Sequence, residues 1–170
     1  GYFDGQPLKG EQIALGDYFA VVPLDNANWC QCEECSRQLA IDKDNIRGEH
    51  FNCGTATHYL WTFVNNVAKE VKKTHPGKKI AALAYHVYAY LPEDIELEDN
   101  ISVAPCLHPR NYWAPKMKEN ETDFYKDWIE ESRKSHRPVY LWNYLCFPTE
   151  RGLVQGFNVF PGFSIHQVAE

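Results

Sequence analysis

Half of the chain's six cysteines crowd into one string, Cys30-Gln31-Cys32-Glu33-Glu34-Cys35. Three thiolates at C-x-C-x2-C spacing can point at one centre, and Zn2+ would take them in tetrahedral geometry with a fourth ligand from Cys53, His50 or Cys106. A closed site of that kind is structural, because a catalytic metal keeps an open position. An even cysteine count is also compatible with disulfides, and free thiols are a third reading. The redox compartment therefore stays open.

The remaining candidate chemistry follows apolar runs. Asp25 and Asn26 come directly after Asp17 to Leu24, in a short Asp-Asn-Ala-Asn turn. Asp25 is read as an acid/base or substrate-orienting carboxylate, with an Asx turn as the structural alternative. Tyr85, His86 and Tyr88 stand at the end of a second run, His108, Arg110, Tyr112 and Trp113 after a third, and Trp142, Asn143 and Tyr144 in a fourth. Rings alternating with polar groups are what a sugar site needs. Pyranose C–H faces rest on rings such as Trp29, Trp113 and Trp142, while hydroxyls bond to Asp, Asn, His and Arg. Packing of a barrel rim is the plainer account of any single ring. His108 is read with Asp25 as a catalytic candidate, and both His86 and His108 could instead be satisfied structural histidines. Glycoside hydrolysis usually takes two carboxylates. Glu33, Glu34 and Glu150 are open as the second, and none stands out. Asn120-Glu121-Thr122 matches the N-glycosylation pattern.

The elements that hold these groups can be read from periodicity. Residues 17–24, 80–88, 101–106 and 139–144 predict strands, the nearly continuous apolar runs fitting a parallel sheet buried on both faces. Leu60, Phe63, Val64, Val67 and Val71 recur at helical spacing between Thr55 and Thr74, and Phe124, Trp128 and Ile129 mark a second helix over 123–135. A further helix begins near Ser164. The connector 92–100 is too short for a helix, so one crossover is missing. The segment from 25 to about 54 reads as an irregular functional loop.

This grammar predicts an α/β fold with a parallel sheet and helices outside, a partial (β/α)8 TIM barrel. A complete barrel typically needs about 250 residues, against 170 here. Residues 1–170 are accordingly expected to be a single segment of one barrel domain in a longer polypeptide that supplies the other strands. Net charge is −6, which disfavours nucleic acid as a partner because no basic face is available for phosphates. No apolar run reaches membrane-spanning length. Aromatic residues make up 14% of the chain, more than a core this size needs, which again points to a ligand surface.

Four strings resemble the bacterial DUF4838 family, which is grouped with TIM-barrel glycoside hydrolases. They are Asp25-Asn26 with Trp29 to Cys35, Phe63-Val64-Asn65-Asn66-Val67-Ala68 with Pro76, Leu83-Ala84-Tyr85, and Val139 to Tyr144. The likeness covers roughly residues 17 to 168. It implies barrel strands four to seven, the missing strands in the same protein, and a carbohydrate-active member that is secreted, periplasmic or attached to the bacterial surface. Related sequences often carry Asp where Asn143 stands. The expectation is a glycoside hydrolase acting on poly- or oligosaccharide, with no cofactor required for catalysis and a structural Zn possible. The rival is a non-catalytic glycan-binding or surface protein.

Overall fold

The structure, a computed structural model, describes residue 3 and residues 16–26, 28–47 and 51–144. Its elements are β1 (Tyr18–Ala20), α1 (Glu33–Leu39), α2 (Thr57–Thr74), β2 (Lys79–Ala84), β3 (Ile101–Leu107), α3 (Pro115–Ser135) and β4 (Trp142–Asn143). The four strands lie in the order β1-β2-β3-β4 and every pairing is parallel. Tyr18 faces Lys79, Ile80 faces Ile101, and Cys106 faces Trp142. The sheet curls into half of a barrel, as the apolar strings predict. Parallel pairing puts every strand's carboxyl end on one side, which gathers the groups that follow them.

Some boundaries move. β1 pairs only over Tyr18–Ala20, although the Val21 amide still donates to the Ala81 carbonyl at 2.8 Å. β4 touches β3 first through Val139 opposite Val103, and regular pairing resumes at Trp142. α3 starts at Pro115 rather than 123, with proline in the first turn, where its missing N–H costs nothing. α1 occupies part of the expected loop. It buries no residue, so it leaves no periodic trace in the sequence; Glu33 and Glu34 in its first turn and Arg37 in its last suit the helix dipole. The helix expected after Ser164 lies outside the described residues.

The core sits between the sheet and α2 and α3. α2 buries Leu60, Trp61, Val64, Asn65 and Ala68, a stripe rotated from the predicted one, leaving Phe63 56% exposed. Phe63 instead lines a groove of about 500 Å3 with Phe3, Phe19, Val67 and Val71, beside edge strand β1. Trp61 and Trp128 meet with ring centres 4.9 Å apart. Their indole N–H groups donate to the carbonyls of Tyr88 at 3.2 Å and Ala89 at 2.8 Å. Two buried rings thereby fix the backbone just past β2.

The missing crossover between β2 and β3 is confirmed, and polar clamps take its place. Asn65 donates to the Glu96 carbonyl and accepts from the Glu98 amide, at 3.0 and 2.8 Å. Arg137, 2% exposed, donates to the carbonyls of Leu97, Glu98 and Ile101 and pairs with Glu131 through Nε at 2.9 Å. One guanidinium thus satisfies three carbonyls that a helix would have paired internally. Replacing Arg137 by Lys keeps the charge but loses the fork, and urea unfolding should show a loss of about 2–3 kcal/mol. Lys73→Gln, which removes an exposed pair with Glu70, should stay within about 0.5 kcal/mol.

Candidate functional site

A strap formed by residues 51–56 crosses the carboxyl end of the sheet. Its backbone bonds to the segment after β2: Cys53 N–H to the His86 carbonyl, Ala89 N–H to the Cys53 carbonyl, and Ala56 N–H to the Val87 carbonyl, at 2.8, 3.0 and 2.7 Å. Gly54 permits this approach, since a Cβ there would sit 2.6 Å from Asn45 Nδ2 and 2.7 Å from the Tyr90 ring. His86 adopts φ 50°, a left-handed conformation costly for a side chain with a Cβ.

The completely buried Asn52 is the strap's anchor. Its Nδ2 donates to the Cys106 carbonyl and to Glu121 Oε1, both at 3.0 Å, and its Oδ1 accepts the His86 amide at 2.8 Å. The Asn52 carbonyl accepts from Asn120 Nδ2 at 3.1 Å, while Tyr90 donates to Asn120 Oδ1 at 2.8 Å. Asn120, the residue of the glycosylation pattern, is therefore buried and engaged.

Glu121 is 0% exposed and comes from the first turns of α3. It accepts the His108 amide at Oε2 and faces His108 Nδ1 at Oε1, at 2.7 and 2.8 Å. A carboxylate at Nδ1 favours the tautomer that carries its proton on that nitrogen, leaving Nε2 as the ring's other polar atom. This is a carboxylate–imidazole pair in which the buried acid orients the ring. Burial raises the Tyr112 hydroxyl's pKa, reinforced by the Glu121 carboxylate beside it.

Above this floor the rings form a ladder. Phe51 stacks on His86 with centres 4.4 Å apart and meets His108 and Tyr85 edge-on at 5.4 and 5.3 Å. His108 stacks on Tyr144 at 4.6 Å and 4°, and Trp142 stands 6.4 Å from Tyr144. The Tyr85 hydroxyl donates to Asp25 Oδ1 at 3.3 Å. Burial first, then the charges of neighbouring Tyr144 and Asp25, push the Tyr85 hydroxyl upward in pKa; burial likewise raises Tyr88. Both remain neutral donors around pH 7. Burial lowers His86 below its ordinary 6.5, against the opposing pull of Asp25.

The structure therefore brings together Asp25, Tyr85, His86, Tyr88, His108, Trp142 and Tyr144, contributed by all four strand ends. Asn143, next to Trp142 and Tyr144 along an extended strand, belongs to the opposite face by alternation. Asn26 closes an Asx turn, its Oδ1 accepting the Asn28 amide at 2.9 Å. Arg110 is half-buried in the turn Pro109–Asn111, and Trp113 is 79% exposed with no ring contact among the described residues. Trp29 lies against Tyr59 of α2 at 5.6 Å instead.

Beside Trp29, Cys30, Cys32 and Cys35 bring their sulfurs within 4.8 Å of one another, so the three could hold a metal ion. Cys53 and Cys106, considered for a fourth ligand, are not with them. Cys53 contacts Thr55 Oγ1 at 3.6 Å, and burial pushes Cys106 up to about 12. His50 lies outside the described residues, as does Glu150.

Phe51, Asn52 and Glu121 are the groups that residue reading passed over. Glu121 carried a usable signal, because Met117, Glu121, Phe124 and Trp128 form one helical stripe.

A family model described as a domain of unknown function, DUF4838, matches residues 14–151, and the chain belongs to that family. No curated protein and no solved structure matches it.

Glu121→Gln places an amide where donors converge and should cost about 2–4 kcal/mol in chemical unfolding. Nitrogen NMR should show His108 protonated at Nδ1 in the parent and released from that tautomer in the variant. His86, depressed in the folded state, contributes stability that is complete above pH 6.5 and is lost as pH falls through its lower folded value. Melting temperature should therefore drop less between pH 7 and pH 5 in His86→Asn, which tolerates the left-handed backbone.

Proposed function

We propose that this DUF4838 domain presents a carbohydrate subsite at the carboxyl ends of its strands and acts as part of a glycoside hydrolase-like barrel. The observation that carries this reading is the ring ladder of Phe51, His86, His108 and Tyr144 set beside the exposed Asp25. Stacked rings offer a flat apolar bed for a pyranose, and Asp25, Tyr85 and His108 supply hydrogen-bonding groups for its hydroxyls. Asp25 is the acid/base or orienting carboxylate. His108, oriented by Glu121, relays a proton or holds a hydroxyl through Nε2. In this reading the rest of the barrel comes from the same longer chain and covers the edges of β1 and β4, and the protein works outside the bacterial cytoplasm.

A second reading, glycan binding without cleavage, is favoured by one feature. In the segments directly after the strands, residues 21–26, 85–91, 108–114 and Tyr144, Asp25 is the single carboxylate. Hydrolysis needs a facing partner, which in the enzymatic reading comes from outside the described residues.

A panel of poly- and oligosaccharides offered to the full-length protein separates the two. Tyr144→Ala should weaken glycan binding by about tenfold, the worth of about 1.4 kcal/mol of stacking. Asp25→Asn should abolish cleavage while binding changes little. Binding without turnover in the parent selects the second reading, and absence of both overturns the carbohydrate proposal.

A further inference from the structure

We propose that Cys30, Cys32 and Cys35 form a three-thiolate site for a soft divalent ion of the zinc class, with its fourth coordination position turned to solvent. Their sulfurs lie within 4.8 Å of one another. Zn–S bonds of about 2.3 Å in tetrahedral geometry place sulfurs about 3.8 Å apart, so closure asks for a shift of roughly 1 Å or less. A disulfide would join two of the three and leave the last without a role, whereas here all three converge. All are free thiols, with Cys30 and Cys32 exposed and Cys35 half-buried. Among the described residues no His, Cys, Asp or Glu joins them as a fourth ligand.

Two independent features point to an ion. The Tyr59 hydroxyl donates to Cys35 Sγ at 3.5 Å. Donors aimed at sulfur are the outer-shell partners of a ligating thiolate. The second feature is α1 itself, which begins directly after Cys32, is seven residues long and buries none of them. A helix that short has little stability of its own, and here only Cys35, Gln38 and Leu39 are even half-buried. A metal bound at its first turn would anchor it to α2 through Cys35 and Tyr59. Each ligating thiol releases its proton to solvent as the metal–sulfur bond forms, with no change of oxidation state.

Co2+ alone, added to the reduced, chelator-stripped full-length protein, tests this independently of any glycan. One equivalent should bind, with thiolate-to-metal charge-transfer absorption and the visible bands of a tetrahedral site, and Zn2+ should displace it. Imidazole should shift the visible bands by entering the open position. Cys32→Ser should abolish the charge-transfer band, Tyr59→Phe should weaken binding by about tenfold, and Cys53→Ser should leave it intact. No uptake by fully reduced protein, or a disulfide among the three in protein isolated without reductant, overturns the site. Visible bands indifferent to imidazole overturn the open position.

Discussion

The hydrogen bond between Asn52 and Glu121 is the constraint on which the carboxyl face depends. Both side chains are completely buried, and either alone would be an expensive polar group in an apolar interior. Together they satisfy each other, the amides of His86 and His108, and the carbonyl of Cys106. Three elements meet there: the strap, the end of β3 and the start of α3. Because the network is closed, His108 has one orientation and the strap one height above the sheet. The rings over it inherit that precision.

A second constraint acts from below. Trp61 and Trp128 spend their indole donors on the carbonyls following β2, and Arg137 holds the connector that replaces a crossover helix. Helix packing and polar clamping thus fix the same strand pair from opposite ends. Rigid support of this kind is what lets a loop carry chemistry, since a group displaced by about 1 Å loses most of its catalytic value.

The architecture was largely legible in the sequence, because β2 and β3 are apolar on both faces and could hardly be anything but interior parallel strands. The absent crossover was legible from the length of the 92–100 connector. The strand-end rule found Asp25, His86 and His108, and spacing alone found the sulfur cluster. What escaped shares a physical cause. Phe51 and Asn52 lie on a strap without period, and α1 buries no side chain completely, so neither writes a hydrophobic pattern. Glu121 was read within a polar glycosylation string, while its burial is set by tertiary partners far away in sequence.

The burial of Asn120 has a consequence for how the chain can be made. With Asn120 buried, an oligosaccharyltransferase could reach it only before α3 docks. A glycan placed there would have to occupy the space that Tyr90 and the strap fill in the finished fold. Passage through a eukaryotic secretory pathway would therefore divert a share of molecules into a form unable to close its floor, whereas synthesis in a cell lacking that enzyme leaves the same asparagine free to serve as an internal fastener.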